Sequence, residues 1–227
     1  MTTPLKNLPL RPSKAPNLPI APVEYSQQYQ DQMLNALRLY FAQVDNFGYS
    51  LSTGTGGAFL QFPYVAAGDT STQYATGNNT PTIVKWNTLF SGSGFTLNSD
   101  STATAAYTGV YKITYSLQFA NDDNSQKDAI VWLRINGIDV VGSTTIFTLQ
   151  QRKSAGIPSF VCGYSEVVFQ LNAGDKVGLW WGTPLAATSG GVTGVYIQAQ
   201  AAQTVPMAYP SDPSAIGSIT FVSAIPA

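Results

Sequence analysis

Hydrophobic and polar residues alternate with a period of two over most of the chain beyond residue 47. The clearest run is Tyr107–Phe119, in which every second residue from Tyr111 to Phe119 is large and apolar and those between are polar. Successive side chains of a strand point to opposite faces, so this alternation predicts a strand with one buried face.

Similar patterns predict further strands at 58–66, 82–86, 129–135, 138–141, 144–149, 164–171, 177–181, 192–199 and 218–223. The Asn136-Gly137 pair between two of these runs is typical of a two-residue hairpin turn, and 172–175 (Asn-Ala-Gly-Asp) predicts another turn. About ten strands with short polar connections, and no helices between them, predict an all-β sandwich.

A helical pattern precedes the strands at residues 25–46. Ser26 is a suitable N-cap, and the stretch from Asn46 to Gly48 predicts the end of the helix. Two alternatives remain open for its broad apolar stripe: packing against the sheet of the same chain, or a short parallel three-helix bundle. The stripe consists of Met33, Leu34, Leu37, Tyr40, Phe41 and Val44.

Residues 1–24 contain prolines at positions 4, 9, 12, 16, 19 and 22. Proline fixes φ and removes a hydrogen-bond donor, which excludes a helix or a central strand and predicts an extended, polyproline-like arm. The apolar side chains of this segment predict that the arm docks on another protein, either a neighbour or a host structure. They are Leu5, Leu8, Leu10, Leu18, Ile20 and Val23.

Charged residues make up only 10% of the 227 residues, against about 25% in ordinary soluble domains. Low charge favours an assembly, since charges buried between subunits cost desolvation energy. The net charge of −1 argues against binding of nucleic acid. We expect neither a membrane span nor a secretory signal, and therefore synthesis in a cytoplasm.

The sequence offers no candidate catalytic site. It has no histidine, the commonest general acid and base. Cys162, the single cysteine, lies in an apolar run and is predicted to be a buried structural thiol. The oxygen-rich stretch Asp122-Asp123-Asn124, with Asp128, predicts a solvated turn in preference to a cation site. We expect no enzymatic activity, cofactor or metal.

Three segments resemble the jelly roll of the complement globular-head and tumour-necrosis-factor superfamily, in the form found in phage structural proteins. They are 95–98 followed by 107–119, with its Gly109-Val-Tyr-Lys-Ile113 strand opening; 130–140, with its Asn-Gly corner; and 169–179, with the pattern Leu171-x-x-Gly-Asp-x-Val-x-Leu179. The resemblance covers residues 95–200. The leader also resembles those of marine and cyanobacterial phage virion proteins, with Pro-Ile-Ala-Pro at 19–22 before a Tyr/Gln-rich helix.

The resemblance implies a trimer packed around a threefold axis. Trp132 lies on the polar phase of its strand and is a candidate subunit contact, whereas Tyr111 and Tyr115 are predicted core residues. Trp180 and Trp181 must point to opposite sides; the outward one serves a subunit interface, a sugar platform, or neither. Beyond residue 200 the chain departs from the superfamily, and 218–223 predicts an extra strand at a sheet edge or paired with a neighbour.

The sequence therefore predicts an arm at 1–24, a helix at 25–46, a linker with short strands at 47–81, a jelly-roll head at 82–203 and a strand-like tail at 204–227. The leading hypothesis is a non-enzymatic, homotrimeric phage virion protein, a fibre or decoration anchored to the capsid or tail by its arm. The alternative is a carbohydrate-binding tail-fibre module that contacts a host surface polysaccharide. A polysaccharide depolymerase is a third hypothesis, without candidate residues.

Overall fold

A computed structural model describes residues 16–20, 22–52, 62–191 and 193–225. The chain divides into two units, Met1–Gln61 and Phe62–Ala227. The first unit contains the helix α1, Gln27–Ser52. The second contains fourteen strands: β1 Tyr64–Asp69, β2 Gln73–Tyr74, β3 Thr82–Ile83, β4 Thr88–Ser93, β5 Phe95–Leu97, β6 Ala103–Ala105, β7 Gly109–Asn121, β8 Lys127–Ile135, β9 Ile138–Asp139, β10 Thr145–Leu149, β11 Ser159–Leu171, β12 Lys176–Gly182, β13 Val195–Ile197 and β14 Ala215–Ser223.

The strands form two antiparallel sheets of seven strands each. In the first sheet, β7 pairs with β11 on one side and with β14 and β13 on the other; β1 joins β14 to β4, and β2 pairs with β13. In the second sheet, β8 pairs with β10, β9 and β12; β12 also pairs with β3 and β6, and β5 pairs with β6. This arrangement confirms the predicted all-β jelly-roll sandwich.

The core lies between the two sheets. Every second residue of β7 from Gly109 to Phe119 is buried, as its alternation predicted. Tyr111 and Tyr115 are core residues, which confirms their assignment. Aromatic rings meet across the core: Phe95 packs edge-on against Tyr111, with ring centroids 5.2 Å apart, and the rings of Phe119 and Trp181 lie 5.9 Å apart.

The two predicted turns, at 136–137 and 172–175, bond to each other. Asn136 and Gly137 have φ angles of 52° and 82°, the left-handed values that a two-residue hairpin turn requires. The carboxamide of Asn136 donates to Asp175 at 2.8 Å and accepts from the backbone N–H of Lys176 at 2.9 Å. The backbone N–H of Asn172, followed by the Asn136 carboxamide, lowers the pKa of Asp175 by stabilising its charged form.

The helix begins where the sequence predicted and ends later. Ser26 accepts the backbone N–H of Tyr29 through its Oγ at 3.4 Å, which confirms the N-cap. The predicted end between Asn46 and Gly48 is wrong, because α1 continues through Gly48 to Ser52. A glycine inside a helix costs only about 1 kcal/mol relative to alanine, so it does not by itself end one.

The last strand is not at an edge, which corrects the prediction for 218–223. β14 lies between β1 and β7 and pairs with both. Proline cannot donate to a ladder, and Ala215–Ser223 contains none, so both edges of the strand are free to pair. Residues assigned from the sequence to a linker and a tail thus supply β1, β2 and β14 to the sandwich.

Some strands differ from their predicted bounds. Of the described residues in the predicted run at 192–199, those of β13 form a strand, and the segment from Ala58 to Gln61 lies outside the described residues. β4 and β6 were not predicted, because Gly- and Ser-rich or Ala- and Thr-rich segments lack a strong apolar alternation. Of the helices in the described part of the chain, none is both long and apolar enough to span a bilayer.

Candidate interaction surfaces

The apolar stripe of α1 is the first predicted interaction surface. Met33, Leu37, Tyr40 and Val44 are half-buried, whereas Leu34 and Phe41 are exposed. The stripe is built partly by contacts within the helix: the Tyr29 hydroxyl donates to the sulfur of Met33 at 3.7 Å, and the rings of Tyr40 and Phe41 lie 5.7 Å apart. Its predicted role in a trimer remains a prediction.

The arm is the second predicted surface. Residues 16–20 and 22–25 have no regular secondary structure, and Leu18, Ile20 and Val23 are exposed. Ile20 and Val23 are almost fully so. Leu5, Leu8 and Leu10 lie outside the described residues. The described anchors therefore present apolar surface to solvent in the single chain.

Trp132 lies on the outer face of the second sheet, beside Trp180 on the neighbouring strand. Its indole Nε1 donates to Asp139 at 2.6 Å, and Arg134 forms a salt bridge with the same carboxylate. The Arg134 guanidinium lies 4.3 Å from the ring centroid of Trp180 and 5.6 Å from that of Trp132. The hydrogen bonds from Arg134 and Trp132 lower the pKa of Asp139.

This cluster confirms a sequence-based expectation about the two adjacent tryptophans and contains one ion pair. Trp181 is fully buried and Trp180 is half-buried on the outer face, so the two tryptophans point to opposite sides. Arg134 and Asp139 form the cross-strand pair beside the Asn-Gly hairpin. Because the indole N–H of Trp132 already has a partner, this side chain can offer a further ligand only its ring carbons.

The outer face of the first sheet was not predicted as a surface, and it is poor in charge. The seven strands of this sheet contain three charged residues; Asp69 is buried, and Lys112 pairs with Glu166 at 3.5 Å. The second sheet, whose strands contain fewer residues in total, has five charged residues, at 127, 128, 134, 139 and 176. Of the two outer faces, that of the first sheet would therefore lose less hydration free energy if another protein covered it.

Large apolar side chains lie along this first-sheet face. Tyr164, Ser116, Ile216 and Gly68 follow one another across β11, β7, β14 and β1, and the ring of Phe90 lies over Gly68. A shallow depression of about 190 Å³ lies between Tyr164 and Ile216. The exposed apolar residues of the face include Phe160, Tyr164, Val168, Ile216 and Phe90.

A hairpin-like excursion between β13 and β14 adds exposed apolar side chains. Backbone hydrogen bonds join Gln200 to Asp212 and Gln203 to Tyr209 in both directions, at 2.9–3.1 Å. Val205 and Met207 are exposed beyond these bonds. The excursion connects two strands of the first sheet and lies beyond residue 200, outside the segment that carries the sequence resemblance.

Cys162 corrects a prediction. It is exposed on the first-sheet face, with its sulfur 3.2 Å from the Ser116 hydroxyl, and is not a buried core thiol. The apolar run that contains it was misinterpreted because both phases of β11 are apolar. Val161 packs against the core while Phe160 and Cys162 point outward.

The acidic stretch at 122–128 forms a turn, as predicted. Asp122 accepts from the backbone N–H of Gly194, and Asp123 accepts from the backbone N–H and hydroxyl of Ser125. Asp128 accepts from the hydroxyl of Thr148 at 2.8 Å. Hydrogen bonding to Ser125, with a smaller effect of Lys127, lowers the pKa of Asp123. The carboxylates stabilise the connection between β7 and β8.

Comparisons with known proteins were made on sequence and on structure. No protein-family model matches the chain, and no curated protein matches it with significance. Among solved structures, the chain is similar to the Eiger TNF protein from S. frugiperda, with 16% identity and a TM-score of 0.43. The match covers 72% of this chain and 96% of that one. A similarity of this size carries no information on function or partners.

Proposed function

We propose that this chain is a non-enzymatic structural protein of a phage particle, a homotrimeric fibre or decoration protein anchored to the capsid or tail by its N-terminal arm. The observation that carries the proposal is the first-sheet face, where exposed apolar side chains surround Tyr164 and Ile216 and charge is scarce. Extended apolar patches on a soluble chain mark surfaces that another protein covers.

Self-association is the simplest way to cover this face. Closed point-group symmetry hides the same patch on every copy and leaves no open end. The number three rests on the resemblance of residues 95–200 to a superfamily of trimeric jelly rolls. The stripe of α1 supports the same assembly, since Leu34 and Phe41 are exposed at the spacing that a bundle of parallel helices uses.

Anchoring is assigned to the arm. Ile20 and Val23 expose apolar side chains on a proline-rich segment, which loses little conformational entropy on binding because each proline already fixes φ. The resemblance of the leader to those of phage virion proteins supports a partner in the capsid or tail. In this proposal the β sandwich at 62–225 is exposed on the particle, and the protein belongs to the virion after its synthesis in the host cytoplasm.

We expect the purified full chain to be a trimer at micromolar concentration. Light scattering coupled to gel filtration should give about three times the chain mass of 24.2 kDa. A monomer under these conditions would contradict the proposed assembly, and a dimer would contradict the threefold arrangement.

Deletion of residues 1–24 is expected to release the protein from phage particles without dissociating the trimer. The measurement is co-sedimentation of the chain with the particles that encode it, in a density gradient. A second variant, Leu18→Ser with Ile20→Ser and Val23→Ser, keeps the prolines and the length of the arm and should lose the particles as well. Unchanged co-sedimentation of both variants would show that another surface anchors the protein.

A further inference from the structure

The outer face of the second sheet contains a notch beside Trp132, on the opposite side of the sandwich from the first-sheet face. It measures about 160 Å³ and is lined by Asn79, Thr80, Pro81, Ile130, Trp132, Gly182 and Thr183. Gly182 pairs with Ile130 in the ladder between β12 and β8 and forms the floor. The six-membered ring of Trp132 overhangs that floor, 3.8–3.9 Å from the position of a Cβ added to Gly182.

The notch exists because residue 182 has no side chain. A Cβ at this position would meet the Thr80 carbonyl oxygen at 3.6 Å and the Trp132 ring at 3.8 Å, which are ordinary van der Waals contacts. A methyl group therefore fits without a clash and occupies the floor. The size of the opening is thus set by one residue.

Trp132 is held in place from the side away from the notch. Its Nε1 donates to Asp139, and Arg134 lies above both it and Trp180. These contacts fix the ring before any ligand arrives, so little conformational entropy is lost on binding. They also use the one polar group of the indole, which leaves its apolar carbons to line the notch.

The residues that line the notch do not favour a charged ligand. None of the seven lining residues is ionisable. Arg134 and Asp139, on the Trp132 side, form a salt bridge with each other, and Asp128, two residues before Ile130 on β8, accepts a hydrogen bond from the Thr148 hydroxyl. A charged ligand would lose hydration in the notch without gaining an opposite charge.

Polar groups lie at the rim of the notch. Asn79 has a φ of 53° and donates its backbone N–H to the Thr183 carbonyl at 2.8 Å, which fixes the residue. Its exposed carboxamide, which offers both donors and an acceptor, has no hydrogen bond to the residues that the structure describes. The Thr80 carbonyl adds an acceptor close to the floor.

We propose that this notch binds a neutral saccharide unit, with the C–H face of the sugar ring against Trp132 and its hydroxyl groups toward Asn79 and Thr80. A pyranose ring combines an apolar C–H face with hydroxyl groups around its rim, and it carries no charge. Those are the properties of a ligand that an aromatic wall, an uncharged floor and a carboxamide rim would bind. The site goes beyond the proposed structural role and does not depend on it, because one chain supplies every lining residue.

The experiment is an array of neutral oligosaccharides and of matched acidic ones bearing uronic or sialic acids, probed with the intact full-chain protein. Calorimetric titration with the best neutral oligosaccharide follows. We expect binding to neutral members, and at least a tenfold weaker affinity for Gly182→Ala, which fills the floor, and for Asn79→Ala. Trp132→Ala should abolish binding.

Gly178→Ala is the matched control. Gly178 lies on the same strand as Gly182 and faces the same side of the sheet, with Trp180 between them. A Cβ added to Gly178 would meet its nearest atoms at 3.4 Å. This variant should bind as the wild type does, and thermal unfolding should show that all four variants remain folded. Binding unaffected by Gly182→Ala and Asn79→Ala, a preference for acidic glycans, or no neutral glycan bound would each overturn the proposal, whatever the oligomeric state.

Discussion

Replacing Trp181 with alanine is expected to lower the free energy of unfolding by about 3–5 kcal/mol, the usual cost of truncating a large buried aromatic side chain. Trp181 is fully buried, and its ring packs against Phe119 from the opposite sheet. Alanine would leave a cavity at the centre of the sandwich that both sheets line.

Trp180→Ala is the matched control, because the same change occurs one residue earlier on the same strand. Trp180 is half-buried on the outer face, and its described aromatic contact is with the guanidinium of Arg134. We expect a loss of about 1 kcal/mol, since exposed cation–π contacts are weak. Urea denaturation at one fixed protein concentration compares the two variants while the contribution of association stays constant.

Trp181→Phe separates packing from hydrogen bonding. The indole N–H of Trp181 is buried without a hydrogen-bond partner among the described residues. Phenylalanine removes that unpartnered donor and keeps most of the ring volume, so its cost should be well below that of alanine. Equal losses for the two alanine variants would contradict the assignment of Trp181 to the core and Trp180 to the outer face.

The division between these two tryptophans could be predicted from the sequence, because adjacent residues of a strand point to opposite faces. The same period of two assigned Tyr111 and Tyr115 to the core. Local turn chemistry was equally direct: Asn136-Gly137 predicts a turn with two left-handed residues, and the structure has it. Structural features that depend on residues close in sequence, such as the direction of a side chain or the type of a turn, can therefore be predicted from the sequence.

Properties that depend on distant pairing could not be predicted. β11 is apolar on both phases, with Val161 and Phe169 against the core and Phe160, Tyr164 and Val168 outside. A strand that is apolar on both phases indicates that both of its faces are covered. This pattern could have identified the first-sheet face as an interaction surface and Cys162 as a residue of that face. The interior position of β14 rests on pairing with residues about 100 and 150 positions earlier, which no local pattern encodes.

The candidate surfaces show the same limit. The outward position of Trp132 was readable, but the notch depends on Gly182 facing Ile130 in the β12–β8 register and on Thr80 crossing nearby. The apolar stripe of the helix could also be predicted from the sequence. The end of the helix was wrongly predicted at Gly48, because tertiary context decides whether a helix continues through a glycine.

Ile216→Glu is expected to convert the proposed trimer to a monomer at micromolar concentration. Ile216 lies at the depression on the first-sheet face and is 43% exposed in the single chain. A carboxylate there would be buried in the assembly without an opposite charge, on each of the symmetry-related copies. Burial of an unpaired charge costs several kcal/mol, which is enough to dissociate a micromolar assembly. The monomer itself should remain folded, since the residue points to solvent.

Ile146→Glu is the matched control on the other sheet. Ile146 is a β10 residue, 61% exposed, on the outer face of the second sheet beside Ile130. The chemical change is identical and the residue is at least as accessible, so the trimer should persist. Dissociation by both variants would mean that added charge in general, and not a covered face, weakens the assembly.

Cys162 provides a second readout on the first-sheet face. Cys162 is the single cysteine; it is exposed beside Ser116 and two residues from Tyr164 on β11, at the edge of the depression. It should react slowly with a thiol reagent in the proposed trimer and quickly in Ile216→Glu. A different result would assign association to α1. In that case the trimer would survive Ile216→Glu, Cys162 would be reactive in the trimer, and Leu37→Glu would dissociate it. The first-sheet face would then be uncovered. Slow labelling that becomes fast only when Ile216 is changed would instead place the subunit contact on the head, because no residue of the helix differs between the two proteins.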